Sequence, residues 1–250
     1  MKVVIINLKN KDSENKTERI KRIENIINDN SGADLYMLPE LWNTGFFAFD
    51  KYAKNAENDG GETVLALSSL SKKHNAYIFG SIVERNADKL YNTAFLFDRN
   101  GNICAKYAKR HLFNKEKDYL SCGDNICVCD TEFGKIGFSI CYDLRFPEHF
   151  REMIDKGAEI FLNCSAWPKS RLEHFMLLNR TRALENQVIS LSCCMSGTDN
   201  GNEYAGVAYA VSPKGEIICE SFDEVTSISL DLSQIKEYRD SFPVLEDRKK

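Results

Sequence analysis

The sequence predicts an α/β fold of mixed β-sheets with helices covering their outer faces. Three observations predict it. Short apolar runs alternate with segments of helical period through most of the chain. Hairpin signals mix in later, the clearest being Asn100-Gly101 between two apolar runs. No Pro/Gly/Ser-rich linker, sequence repeat or low-complexity tract interrupts the 250 residues, so 1–250 is expected to be a single domain.

The elements follow in order. Residues 2–8 form a buried strand around Val3-Val4-Ile5-Ile6. Residues 17–28 are a helix, because Ile20, Ile23, Ile26 and Ile27 share one face. A second strand, 34–38, stops at Pro39. Residues 63–74 are helical by Val64, Leu67 and Leu70, with Thr63 as the expected N-cap, and 76–83 is a third strand. Residues 91–97 and 102–106 flank the turn as a hairpin. A strand at 135–140 precedes a helix at 147–156, opened by Pro147 and closed by Gly157. Strand 158–163, a long helix 170–186 and strand 188–194 come next. On that helix Leu172, Phe175, Met176 and Leu184 recur at core spacing. Strands at 205–211, 216–219 and 225–230 complete the chain, the first two joined by Ser212-Pro213-Lys214-Gly215.

Composition narrows the function. Lysine plus arginine total 33 against 37 aspartates and glutamates, a net charge of −4. That balance argues against nucleic acid as a partner, since phosphate tracking needs clustered cations. A hydrophobic content of 43% with 11% aromatics suits a large core and excludes a disordered chain. No run approaches the roughly 20 apolar residues that span a bilayer. Charge returns too soon after Met1-Lys2-Val3-Val4-Ile5-Ile6 for a signal peptide, so a soluble cytoplasmic protein is expected, with no membrane partner. Nine cysteines are then best read as reduced thiols, most of them small buried hydrophobes. The tightest group, Cys122, Cys127 and Cys129, matches no familiar zinc spacing, and no metal is expected there.

The most informative stretch runs from Gly137 to Glu148. An apolar strand ends directly at Cys141, and Pro147 starts a helix six residues later. Strand, tight turn, helix is a geometry that lifts one side chain to the rim of a sheet and points backbone N–H groups at it. A thiol there is a candidate nucleophile; the competing reading is a packed cysteine at a strand end. A Cys–His pair is the commonest way to activate a thiol. None of His74, His111, His149 and His174 sits at a strand terminus beside an apolar run, and His149 is expected on the surface of the following helix. Two other residues stand out. Glu40 follows Leu38-Pro39 at a strand end, a costly place for a carboxylate without a partner or solvent. Lys109 lies in Lys106-Tyr107-Ala108-Lys109-Arg110-His111-Leu112-Phe113, just after the hairpin. A solvated glutamate and a basic surface loop are the plainer readings of these two.

These segments carry a family resemblance. Leu38-Pro39-Glu40-Leu41-Trp42, Tyr107 to Phe113, and Ile140-Cys141-Tyr142-Asp143-Leu144-Arg145-Phe146-Pro147 resemble the three signature segments of the nitrilase superfamily of carbon–nitrogen hydrolases. They come in that family's order, with 69 positions from Glu40 to Lys109 and 32 from Lys109 to Cys141. The similarity continues through Ser165-Ala166-Trp167-Pro168, residues 180–187 and residues 238–243, nearly the whole chain. The wording around Lys109 and Cys141 is most similar to the ω-amidases, which deamidate the side-chain amide of 2-oxo acids. Two positions depart from the pattern: Cys194-Met195 stands where many relatives carry Asn-Arg, and Ala166 where ω-amidase-like sequences often carry Asn.

The resemblance implies a four-layer α-β-β-α sandwich and a homodimer or higher homo-oligomer to which a tail at 238–250 contributes. It implies Glu40 as general base, Cys141 as nucleophile, and Lys109 with the Tyr142 backbone N–H as oxyanion donors. It also implies a second glutamate beside the lysine, for which Glu116 fits and Asp118 competes. Arg145 and Glu148 are read as bracing the turn after Cys141, with Arg145 and Trp167 as candidates to face substrate. Arg182 and Glu185, three apart, are expected to pair. The implied reaction cleaves a small linear amide, 2-oxoglutaramate being favoured, to acid and ammonia through a thioester, and needs no metal or organic cofactor. N-carbamoyl-amine hydrolysis and nitrile hydrolysis use the same three residues and stay open. From other classes, a catalytically silent interaction module and a thiol redox sensor working through Cys193-Cys194 or Cys141 stay open too.

Overall fold

The first strand shows why two apolar faces are needed. In β1 (Lys2–Ile6), Val3 and Ile5 join one core while Val4 and Ile6 join another. Such a strand is buried on both sides, and its sequence is a continuous apolar run. The computed structural model describes residues 1–249; Lys250, the last residue of the expected tail 238–250, lies outside the described residues.

The first half runs β1, β2 (Lys9–Asn10), α1 (Lys16–Asp29), β3 (Leu35–Met37), α2 (Tyr52–Asn55), α3 (Glu62–His74), β4 (Tyr77–Asn86), β5 (Lys89–Phe97) and β6 (Ile103–Ala108). The second runs β7 (Val128–Thr131), β8 (Gly134–Ile140), α4 (Pro147–Asp155), β9 (Ile160–Ser165), α5 (Leu172–Asn186), β10 (Ile189–Cys194), β11 (Ser196–Asp199), β12 (Asn202–Glu203), β13 (Ala208–Val211), β14 (Ile217–Ser221), β15 (Val225–Ser229) and α6 (Ser233–Ser241). One six-stranded sheet has the order β15-β1-β3-β4-β5-β6, the other β7-β8-β9-β10-β13-β14, and β12-β11-β2 form a small third sheet. Both large sheets are mixed. Each reads antiparallel, parallel, parallel, antiparallel, antiparallel across its five pairings. No repeat is visible in the sequence, yet the pairing pattern occurs twice.

The sheets stack face to face, with Phe79 of β4 against Phe138 of β8 at a ring separation of 5.2 Å. Helices α1 and α3 pack together over the outer face of the first sheet, and α4 and α5 over the second. This is the expected four-layer order.

Local chemistry explains most boundaries. Asn15 caps α1 through a capping box with Glu18, so the helix starts just before the expected 17. Gly157, at φ +86°, ends α4 as expected. Thr63 is not an N-cap: α3 begins at Glu62, and the Glu57 carboxylate accepts from the Thr63 N–H at 2.8 Å and its hydroxyl at 2.6 Å. On α5, Phe175 is buried and Leu172 and Met176 half-buried, but Leu184 points outward, 48% exposed, which corrects its reading as core. Arg182 and Glu185 do pair, at 2.9 Å. His149 is fully buried rather than on the surface, donating from Nε2 to the Phe138 carbonyl at 2.9 Å. Among the described residues no helix is long and apolar enough to cross a membrane.

Candidate active site

Four strand ends meet at one edge of the two-sheet stack, and each delivers a residue. β3 runs through Pro39 into Glu40, β6 directly into Lys109, β8 directly into Cys141, and β9 directly into Ala166 and Trp167. Clustering at the carboxyl ends of parallel strands is where open α/β sheets place their ligands.

The charged centre is dry. Glu40, Lys109 and Glu116 are each 0% exposed. Lys109 Nζ donates to Glu40 Oε1 at 2.7 Å and to Glu116 Oε2 at 2.8 Å. Asn92 of β5 bridges the two acids, its Nδ2 donating to Glu40 Oε1 at 2.8 Å and Glu116 Oε1 at 3.1 Å. Backbone groups fill the other positions: Ala166 N–H donates to Glu40 Oε2 at 2.8 Å, and Phe113 N–H to Glu116 Oε2 at 2.7 Å. Every carboxylate oxygen therefore has a donor, which is what keeps three buried charges tolerable. Burial alone would push the Lys109 ammonium down, but Glu116 and Glu40 hold it well above its ordinary value. Glu116 is raised, by burial and by Glu40 against the pull of Lys109. Of the two candidates for the second glutamate position, Glu116 lies in the site and Asp118 is exposed.

Cys141 opens a short 3₁₀ turn, Cys141–Arg145, directly off β8. Its φ is +47°, in the left-handed region that residues with a Cβ rarely occupy, and Leu41 beside Glu40 has φ +46°. The thiol is buried, and burial together with Glu40 pushes its pKa well above the ordinary value, against the opposing pull of Lys109. In the resting site it therefore keeps its proton. The Tyr142 N–H stands in the first turn of this 3₁₀ segment, where helical N–H groups have no acceptor within the turn.

Asp143 ties the lysine segment to the cysteine turn. Its Oδ2 accepts from Tyr107 Oη at 2.7 Å and the Ile140 N–H at 2.9 Å; its Oδ1 accepts from the His111 N–H at 3.1 Å and His111 Nδ1 at 2.7 Å. Lys109 lies between Tyr107 and His111, so one carboxylate fixes both segments. His111, Asp143 and His149 place ligand atoms within 4.8 Å of one another, and are the one such trio among the described residues. With four donors already on Asp143 and His149 Nε2 on a carbonyl, the trio is built as a hydrogen-bond hub.

A narrow cavity of about 30 Å³ leads to Cys141. Phe46, Phe47, Phe113, Tyr142 and Trp167 give it an aromatic wall, and Ala166 puts a methyl group there. Arg145 and Arg171 line it as well. The Arg145 guanidinium lies 4.8 Å from the Trp167 ring centroid, a cation–π contact, and Nη2 is 3.4 Å from His174 Nδ1. Arg145 thus touches cavity and wall, while Glu148 is exposed. Asn92, Asp143 and Arg171 were not singled out from sequence. Asn92 carried a signal, a polar residue inside an apolar strand run; Arg171 carried none.

The remaining cysteines divide by place. Cys193 and Cys194 are both fully buried on successive positions of β10, with Cys193 Sγ 3.1 Å from the Ile6 carbonyl and Cys194 Sγ accepting from the Trp167 N–H at 3.3 Å. Neighbours in a strand point to opposite faces, an arrangement unsuited to linking these two thiols. Cys129 and Cys164 are also buried, Cys127 and Cys219 half-buried, and Cys104 and Cys122 exposed, so about half behave as expected of small core residues.

Comparison with known proteins places the chain among relatives along nearly its whole length. The carbon–nitrogen hydrolase family model matches residues 3–240. The chain is similar to a 2-oxoglutaramate amidase of Bacillus subtilis, 35% identical over an alignment of 240 positions that covers 94% of this chain and 92% of that protein. It is similar to omega-amidase NIT2-A of Xenopus laevis, 32% identical over an alignment of 253 positions that covers 94% of this chain and 91% of that one. Among solved structures, Nit3 of Saccharomyces cerevisiae, a member of branch 10 of the nitrilase superfamily, superposes with a TM-score of 0.92 at 30% identity, covering 100% of this chain and 97% of that chain.

Proposed function

We propose, for a chain that belongs to the carbon–nitrogen hydrolase family, that Cys141, Glu40 and Lys109 carry out amide hydrolysis through a thioester, with a 2-oxo acid ω-amide such as 2-oxoglutaramate as substrate. The observation that carries this reading is the dry Glu40–Lys109–Glu116 array beside a thiol in a strained turn. Replacing such an array by apolar residues would leave the fold as stable or more so, which points to a chemical use.

The steps follow from the protonation states. Cys141 rests as a thiol, so attack needs a base, and Glu40 takes the proton as sulfur bonds to the amide carbon. The carbonyl oxygen becomes an oxyanion, held by the Lys109 ammonium and the Tyr142 N–H; losing one such donor costs about 3–4 kcal/mol. Glu40 returns its proton to the amide nitrogen, the C–N bond breaks, and ammonia leaves a thioester. A water then gives a proton to Glu40 and attacks the thioester carbon. Collapse breaks the C–S bond, Glu40 reprotonates Cys141, and the carboxylic acid departs. Glu116 keeps Lys109 charged and aimed while Glu40 changes state. Arg145 and Trp167 face the substrate from the cavity wall.

We read residues 1–250 as one catalytic domain of a cytoplasmic homodimer. The nine unpaired thiols support a reducing compartment. Exposed Leu177 and Leu184 on α5, with Phe242 and Val244 beyond α6, support an apolar contact between copies that includes the tail. The test of the catalytic reading is ammonia release from 2-oxoglutaramate, 2-oxosuccinamate, an N-carbamoyl amine and a simple nitrile, beside Cys141→Ala. Release from the amides by wild type and none by the variant is expected. Equal activity of the two proteins would remove Cys141 from the mechanism.

A further inference from the structure

We infer that Arg171, together with Arg145, forms a carboxylate clamp at the mouth of the cavity and selects amides that carry an acid at their far end. This deepens the amidase reading and rests on it. The observation is a separation of charge between the buried centre behind Cys141 and the wall of the cavity. Behind the lining, in the buried centre next to Cys141, Glu40 and Glu116 outnumber Lys109, leaving a surplus negative charge that repels an acid group. The wall that follows is aromatic and methyl: Phe46, Phe113, Tyr142, Trp167 and Ala166. It offers methylene groups apolar contact. The charged residues on the lining itself are Arg145 and Arg171, and among the described residues neither has a carboxylate within salt-bridge distance.

Trp167 touches both arginines, through the Arg145 guanidinium and the Arg171 backbone, and among the described residues the Arg171 side chain has no hydrogen-bond or ion-pair partner. Arg145 lies over the Trp167 ring, with His174 Nδ1 beside it. The Arg171 carbonyl accepts from Trp167 Nε1 at 2.7 Å, so one tryptophan positions both residues. Arg171 also stands just before α5, where the helix dipole adds a partial positive charge. A linear molecule with an amide at one end and a carboxylate at the other then has one favourable direction. Its amide lies at Cys141 and its acid on the guanidiniums, whose planar forks match a carboxylate. A neutral amide gains the inner half of these contacts alone.

The experiment compares 2-oxoglutaramate with 4-oxopentanamide, which keeps the chain and the keto group but replaces the carboxylate by a methyl group. Wild type, Arg171→Ala, Arg171→Lys and Cys141→Ala are assayed for ammonia release with each. The clamp predicts that Arg171→Ala raises KM for 2-oxoglutaramate about 10- to 100-fold, the effect of a charge-assisted bond. It predicts a change below about threefold with 4-oxopentanamide, and partial recovery in Arg171→Lys. An equal loss on both substrates, or none on either, overturns the clamp while leaving the catalytic residues standing. Absence of activity on both substrates in wild type, or activity in Cys141→Ala, instead overturns the amidase reading beneath it.

Discussion

Replacing Glu116 by Gln changes a buried charge at nearly constant volume, and the hydrogen-bond pattern dictates the result. The new amide has one acceptor where the carboxylate had two. Its oxygen can keep the place of Oε2, which accepts from Lys109 at 2.8 Å and the Phe113 N–H at 2.7 Å. Its NH₂ must then occupy the place of Oε1, 3.1 Å from Asn92 Nδ2, donor against donor. Turning the Asn92 amide over relieves that clash but aims Asn92 Oδ1 at Glu40 Oε1, across the 2.8 Å now bridged by a hydrogen bond. Neither orientation satisfies the network. Losing the ionic part of the bond to Lys109 costs about 1.5–3 kcal/mol, and the stranded polar group about 1–3 more. Breaking one partner from a buried ion pair gives a similar total, about 3–5 kcal/mol. Against a domain stability of about 5–15 kcal/mol the variant still folds. A lysine ammonium displaced by about 1 Å costs about 100-fold in rate. The expected outcome is a urea midpoint clearly lowered, kcat for 2-oxoglutaramate down about 100- to 1,000-fold, and KM within about threefold. A folded Glu116→Gln protein with kcat within threefold of wild type would refute the claim that Glu116 holds Lys109.

Two further perturbations address the Asp143 hub. Tyr107→Phe removes the donor to Asp143 Oδ2 and the acceptor of the Arg110 N–H at 3.1 Å. A stability loss of about 1.5–3 kcal/mol is expected by chemical unfolding, with a fall in kcat and an unchanged KM; a fall in KM alone would contradict a positioning role. Asp143 itself gives a pH signature. Burial pushes its carboxyl up, but His111, His149, Tyr107 and the Ile140 N–H overcome this and hold it below its ordinary value. A carboxyl lower in the folded than in the unfolded protein stabilises fully above the ordinary carboxyl range and loses that contribution as pH falls through it. Urea midpoints of wild type should therefore fall more steeply than those of Asp143→Asn between about pH 5 and pH 2. Parallel curves would remove Asp143 from the acid response.

What was legible in the sequence depended on how local the cause was. Strands β1, β3, β4, β8, β9 and β10 announce themselves because burial on both faces makes them short, largely apolar runs with only scattered small or polar residues. Helix α6 does not, since Ile235 is its one buried residue. It is docked instead by Arg239, which donates to the Gln187 and Ala158 carbonyls at 3.0 and 3.1 Å, contacts with no periodicity to read. The small sheet of β2, β11 and β12 is equally silent, because polar strands of two to four residues carry no pattern. Glu40, Lys109 and Cys141 were recoverable as strand-end residues of unusual type, and the family pattern joined them. His149 was misplaced because it lies on the buried side of α4 with Phe150 and Met153, where one polar residue in an apolar stripe looks like an outward-facing one. Arg171 shows the opposite limit: it is an exposed arginine in a short turn, and only the folded chain brings it to the cavity that holds Cys141.

In the proposed mechanism, the presence of two glutamates on one lysine follows from the charge that the reaction moves. A single Glu40–Lys109 pair would leave the lysine without an anion whenever Glu40 carried the thiol proton. Glu116 removes that moment, because it stays paired to Lys109 at 2.8 Å whatever Glu40 does. The site then holds one surplus negative charge at rest, on the carboxylates. It holds the same surplus in the tetrahedral intermediate, where Glu40 is neutral and the charge has passed to the oxyanion. Lys109 faces a like total of charge before and after, and the buried dipoles of Asn92, Ala166 and Phe113 need not reorient between the two states. In a centre with no exposed surface, where a change in net charge would cost many kcal/mol by desolvation, moving a fixed charge over a few ångströms is the cheaper course. Burial, with the Glu40 charge adding to it, holds the Cys141 thiol above its ordinary value, so sulfur gives up its proton only as the carbon–sulfur bond forms.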